Sequence, residues 1–213
     1  MTKSFVLVAG NIGAGKTSLT ERLASRLGWQ AGYESVADNP YLADFYADMK
    51  AWSFHLQVFF LGHRAAQHHA LADCPQPAII DRSIYEDAFI FARALYEMGN
   101  MTERDYLAYR RLFDLVAGQL PPPDLLIYLR ASPKLLLERI RGRGRSIETG
   151  ITLDYLGLLD RYYEEWLGDF AACPVLMIPS DQLDFVHRPE HLDLVVQRIL
   201  DRLHGKEQLV FPD

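Results

Sequence analysis

Residues 4–17 read SFVLVAGNIGAGKT. Within them, Gly10-Asn11-Ile12-Gly13-Ala14-Gly15-Lys16-Thr17 satisfies the pattern GxxxxGK[ST] at every fixed position. The run before it, residues 4–9, is short and apolar, as expected of a buried parallel strand. The residues after it, from Lys16 to about Leu27, carry Leu19, Leu23 and Leu27 at four-residue spacing, which predicts a helix. A glycine loop between a strand and a helix is a phosphate cradle. Its backbone N–H groups converge on phosphate oxygens, the helix offers its positive N-terminal end, and Lys16 supplies a cation to the β and γ phosphates. The Thr17 hydroxyl is placed to bind Mg²⁺. Such a loop does not name the acceptor, because hydrolases, motors and transferases share it.

Outward from the loop, strands and helices alternate. A weaker strand is expected at residues 31–35, and helices at 41–49 and 52–72. Pro75 and Pro77 end the second helix, and residues 78–80 form a strand that runs into Asp81-Arg82-Ser83. Helices at 85–98 and 102–119 follow, then a strand at 124–129. Ser132-Pro133 starts a further helix in the favoured cap and first-turn arrangement. That helix runs into Arg139, Arg141, Arg143 and Arg145, interrupted by Gly142 and Gly144. A helix at 154–170, a strand at 175–178 and a helix at 189–203 complete the chain. The expectation is one α/β domain over residues 1–213, with a five-stranded parallel sheet, helices on both faces, and ligands at the carboxyl ends of the strands.

Composition narrows the function classes. With 49% hydrophobic and 23% charged residues the chain is ordinary globular material. A net charge of −6 argues against a nucleic-acid polymer or an anionic membrane as partner and favours a small ligand. No stretch reaches the roughly 20 apolar residues of a membrane span. The two cysteines, Cys74 and Cys173, show no metal or redox spacing and read as buried thiols of a reducing, cytoplasmic setting. The seven histidines show no metal spacing either, and His68-His69 read as helix surface.

On the acceptor side, Glu34 ends the second strand in Tyr33-Glu34-Ser35-Val36-Ala37-Asp38-Asn39-Pro40-Tyr41. A carboxylate there can take a proton from an attacking hydroxyl, although position alone fits a solvated loop glutamate equally. Asp81-Arg82 is a catalytic pair or a surface ion pair. Taken together, GNIGAGKT, YESVADNPYL, HLQVFFLGHR, DRSIYEDAFIFA, RIRGRGRSIETGI and SDQLDFV resemble the deoxynucleoside kinase family, in its order and spacing, over nearly the whole chain.

The resemblance implies a P-loop kinase fold with an arginine-rich lid at about residues 139–150, and transfer of the terminal phosphoryl group of Mg·ATP to a deoxynucleoside 5′-hydroxyl. It makes Glu34 the base and has Arg82 hold that carboxylate and the transferring phosphate, with Lys16 also catalytic. Asp81 joins Thr17 in positioning Mg²⁺. Gln57 reads the base edge, for which an amide offers donor and acceptor in one plane. Tyr46 and Glu148 bind the sugar 3′-hydroxyl, and Phe91 packs on the base. Arg139, Arg143 and Arg145 close over the triphosphate, and Asp184 and Phe185 frame the donor adenine. Without the family, Phe91 reads as core, Tyr46 as helix surface and the arginines as a solvated face. Two departures stand out: Ser35 replaces a common proline, and Ile147 replaces the second glutamate of animal members, which suits bacterial ones.

Arg64 lies two helical turns beyond Gln57, and Asp87 one turn into the helix after Ser83. Both match the Arg–Asp pair of members that accept purines or cytosine, and a charged pair would crowd a 5-methyl group. Purine deoxynucleosides are expected first and deoxycytidine second. A homodimer packed through helices 85–98 and 102–119 is also implied. A nucleoside monophosphate kinase and a non-enzymatic regulatory module remain the competing readings at this point.

Overall fold

The computed structural model describes residues 3–33, 39–145 and 148–204. Five strands, β1 (Phe5–Gly10), β2 (Gln30–Gly32), β3 (Ala78–Asp81), β4 (Leu125–Arg130) and β5 (Val175–Pro179), form one sheet in the order β2-β3-β1-β4-β5. Every pairing is parallel. Alternation along each strand explains why both faces are covered. Val6, Val8, Ile79, Leu125, Ile127 and Leu129 point to one face, where they pack with Leu19, Leu23 and Ile199. Phe5, Leu7, Ala9, Ile80, Leu126 and Tyr128 point to the other, under Leu159, Tyr162, Tyr163 and Trp166.

The helices are α1 (Lys16–Leu27), α2 (Leu42–Ala47), α3 (Met49–Asp73), α4 (Ile84–Glu86), α5 (Arg93–Glu97), α6 (Glu103–Ala117), α7 (Pro133–Arg143), α8 (Leu153–Asp169) and α9 (Pro189–His204). None of the described helices is long and apolar enough to cross a membrane. Helix α3 buries one stripe, Ser53, Gln57, Leu61, Arg64, His68 and Ala72, at the three- and four-residue steps of a helix. Gln57 and Arg64 therefore share its inner face, as their spacing predicts.

Four expectations need correction. The helix expected at 85–98 is not regular, because residues Asp87–Ala92 form a π-helical segment joining α4 to α5. The wider turn keeps Asp87, Ala88, Ile90 and Ala92 all buried between α3, α6 and α8, more of one face than a 3.6-residue period would turn inward. The strand expected at 31–35 is Gln30–Gly32, and residues 34–38 lie outside the described ones. His68 is buried, with its ring against Phe5 and its Nε2 2.8 Å from the Pro121 carbonyl oxygen. Adjacent helix positions point about 100° apart, so His68 turns inward while His69 pairs with Asp73 on the surface. Finally, Cys74 and Cys173 are half-buried rather than buried.

Candidate active site

From the central strand β1 the chain goes first to one side, to the edge strand β2 and back to β3, then to the other, to β4 and β5, and the phosphate loop lies at that switch. Gly13 and Gly15 adopt φ of +84° and +97°, open to glycine at little cost. A side chain at Gly13 would also meet the Leu136 carbonyl and Ile140 at 3.0 Å. Helix α7 thus packs directly on the loop. Lys16 is buried, and its ammonium donates to the carbonyls of Gly10 (2.7 Å) and Asn11 (3.2 Å). Lys16 thus also ties the loop to itself. Asn11 braces the loop from its other side, its amide donating to the Leu156 carbonyl at 3.0 Å.

The register of β1 against β3 sets Val8 beside Asp81 and carries Asp81-Arg82-Ser83 to the level of the loop. There the Thr17 hydroxyl donates to Asp81 Oδ2 at 2.5 Å. A hydroxyl and a carboxylate side by side at an anion cradle fit Mg²⁺, which takes hard oxygens from one or two protein groups and completes its shell with phosphate and water. Arg82 has φ +71°, a left-handed conformation that a residue with a side chain rarely adopts. Its amide donates to the Val8 carbonyl at 2.9 Å, and its guanidinium lies 4.3 Å from the centre of the Phe91 ring. Such a stack is attractive, and it joins two residues that the family resemblance assigned to one site.

Arg64 and Asp87 form a buried ion pair, Nε to Oδ2, between α3 and the π segment. Arg64 also lies 5.3 Å from the Phe60 ring centre. Gln57 is buried nearby in sequence on the same face, and its Oε1 has no hydrogen-bond partner among the described residues. An unmet buried acceptor costs free energy that a ligand donor recovers. Tyr46 is 47% exposed on α2. It and Arg82 both lie within electrostatic reach of Tyr155, whose phenol burial pushes up to about 12.

Beyond α7, Arg143 grips Glu148 with Nη2 at 2.6 and 2.7 Å and Nε at 3.2 Å, and Arg145 lies 3.7 Å from the same carboxylate. Arg139 is held by the Ser180 hydroxyl and carbonyl, both at 3.0 Å, with the Ala14 carbonyl at 3.4 Å. Arg139 and Arg143 border a cleft of about 580 Å³ between the phosphate loop and residues 180–191. Asp184 and Phe185 also border it. The Asp184 carboxylate accepts from the amides of Val186 and His187 and from the His187 ring. The hydrogen bond from the His187 amide leads in holding it below the usual carboxylate range. Phe185 is buried, its ring edge close to Gly15. Glu34 lies outside the described residues.

Sequence reading passed over Glu86, Tyr155, Tyr163 and Ser180. Of these, Glu86 had a legible signal, because Ser83-Ile84-Tyr85-Glu86 has the spacing of a capping box, and the box forms.

A family model described as deoxynucleoside kinase matches residues 6–204. The deoxyadenosine kinase of Lactobacillus acidophilus is 40% identical over 209 residues, covering 93% of this chain and 95% of the relative. The deoxyadenosine/deoxycytidine kinase of Bacillus subtilis is 37% identical over 207 residues, covering 96% and 95%. Among solved structures, deoxyadenosine kinase from M. mycoides with dCMP and dCDP bound superimposes with a TM-score of 0.81 at 29% identity, covering 92% of this chain and 99% of that one. The same enzyme is also described with bound dATP.

Proposed function

The chain belongs to the deoxynucleoside kinase family, and from that premise we propose that it transfers the γ-phosphoryl group of ATP to the 5′-hydroxyl of purine deoxynucleosides, in nucleotide salvage. The observation that carries the substrate choice is the buried Arg64–Asp87 pair, with Gln57 and its unmet acceptor about two turns away on the same buried face of α3. A planar guanidinium, a carboxylate and an amide together offer fixed donors and acceptors to a base edge, and they leave charged groups where a 5-methyl would sit. Deoxycytidine is the second substrate, in keeping with the name of the B. subtilis relative.

ATP lies with its phosphates on residues 10–17 and its adenine in the cleft bordered by Asp184 and Phe185. Thr17 and Asp81 hold Mg²⁺, which supplies charge neutralisation at the phosphates when bound. Lys16 exchanges its contacts with the loop carbonyls for phosphate oxygens. Arg82 steadies the Glu34 carboxylate and the transferring phosphoryl group, and Glu34 accepts the proton of the 5′-hydroxyl. Tyr46 and Glu148 orient the sugar through its 3′-hydroxyl. Arg139, Arg143 and Arg145 act as the lid, and supply positive charge where the transition state spreads negative charge over three oxygens. The enzyme works in the cytoplasm as a homodimer. Exposed Leu107, Leu112 and Leu115 on α6 supply apolar surface for that contact.

The test is kcat/KM for the four deoxynucleosides with Mg·ATP. Deoxyadenosine or deoxyguanosine is expected to lead and thymidine to trail. A leading thymidine would overturn the substrate assignment.

A further inference from the structure

Glu86 takes no part in the reading above, yet it is fully buried, and its carboxylate accepts from four donors among the described residues. One oxygen accepts from the Gly10 amide at 3.2 Å and the Tyr163 hydroxyl at 2.7 Å. The other accepts from the Ser83 amide at 2.9 Å and the Ser83 hydroxyl at 3.3 Å. The capping box accounts for the Ser83 contacts but not for the Gly10 contact, which joins residues 76 positions apart. The Tyr163 hydroxyl also lies 2.9 Å from the Gly10 carbonyl, so its single proton serves either acceptor and α8 contacts the lock at both.

We propose that Glu86 is a positioning residue that locks the first glycine of the phosphate loop to the Asp81-Arg82-Ser83 turn, and so fixes Lys16 and Arg82 relative to each other. Gly10 is the point where a shift matters most, because its carbonyl is also a ligand of the Lys16 ammonium. On the other side, Arg82 stands at a strained φ that persists only where its surroundings hold it. A buried carboxylate is costly unless several donors satisfy it; here three of the four belong to the two segments whose separation sets the chemistry, and the fourth, Tyr163, comes from α8. The requirement is for an acceptor-only group. A glutamine of the same shape would turn an NH₂ towards two donors at one end of the lock.

The inference rests on the assignment of the loop to the donor phosphates. ATP turnover by the unmodified enzyme tests that assignment by itself, and if another triphosphate is the donor the comparison below uses that one. The experiment measures kcat and KM for the donor, and the equilibrium Kd for deoxyadenosine by calorimetry, in the unmodified enzyme, E86Q, E86D and Y163F. Misplacement of reacting groups by a fraction of an ångström to 1 Å lowers rates by roughly 10- to 100-fold. E86Q is expected to lower kcat/KM for the donor by about that factor while deoxyadenosine Kd stays within about twofold. E86D, which keeps the charge on a shorter stem, falls between. Y163F, which removes one donor and leaves the carboxylate, is expected to show a smaller loss, about threefold, confined to the donor side. If E86Q does not fold, E86D and Y163F carry the comparison. The proposal is overturned if the variants keep donor kcat/KM within about twofold of the unmodified enzyme, or if deoxyadenosine binding weakens in step with donor use.

Discussion

Arg64 and Asp87 are 3% and 2% exposed, so a substitution that removes one removes the ion-pair partner of a group almost out of contact with water. Breaking a buried pair from one side costs about 3–5 kcal/mol, and at 1.4 kcal/mol per factor of ten even the lower figure is a loss of more than about a hundredfold if it falls on the productive complex. Arg64→Met and Asp87→Ala should each lose that much in kcat/KM for every deoxynucleoside. The double change removes both charges together. Two unit charges 4 Å apart interact by about 4 kcal/mol at an effective dielectric of 20, so the double variant should fall short of the summed losses by roughly that amount. It should also open space for a methyl group, lowering kcat/KM for deoxyadenosine and deoxyguanosine and raising it for thymidine. The assay is kcat/KM for the four deoxynucleosides in all four proteins, with urea midpoints to separate loss of fold from loss of recognition. Strictly additive losses, or a double variant that keeps its purine preference, would refute the role of the pair.

Glu34→Gln should leave deoxyadenosine affinity near that of the unmodified enzyme and slow the chemical step by about 10²-fold, measured in single turnover; an unchanged rate returns Glu34 to the status of a loop carboxylate. The 2′,3′-dideoxynucleosides should lose about 1.5–3 kcal/mol in kcat/KM, and Glu148→Ala should shrink that penalty; equal discrimination in both proteins places the sugar contact elsewhere. Burial holds the His68 imidazole below its usual range, against the opposing pull of the Pro121 carbonyl. The unfolded chain therefore takes up a proton below about pH 6.5 that the folded chain resists, and stability is lost as pH falls through that region. His68→Gln should lose less of its urea midpoint between pH 7 and 5 than the unmodified protein, and an identical loss contradicts the assignment.

Much of the fold is written locally. The loop of residues 10–17 declares itself because strand, glycines and helix are contiguous, and the buried stripe of α3 follows from the spacing of Gln57, Leu61 and Arg64. The Arg64–Asp87 pair was legible only through family spacing, since nothing local says that α3 and the π segment meet. The π segment itself was hidden, because Asp87-Ala88-Phe89-Ile90-Phe91-Ala92 reads as an ordinary apolar helix and the wider turn arises from packing against three other helices. Glu86 was missed for a related reason: its capping box is local, but its contacts with Gly10 and Tyr163 come from residues that the fold brings from far on either side of it in the chain. His68 shows the limit of reading a pair of polar neighbours as one surface, because a helix sends them to different faces.

The measurement that bears most directly on the account is the identity of the product formed from deoxyadenosine, Mg·ATP and the purified enzyme, followed by ³¹P NMR and mass spectrometry. The account predicts deoxyadenosine 5′-monophosphate and ADP in equal amounts, with no diphosphate formed when the monophosphate is supplied in place of the nucleoside. Phosphorylation of the monophosphate but not of the nucleoside, or ADP released without any new nucleotide, would contradict it.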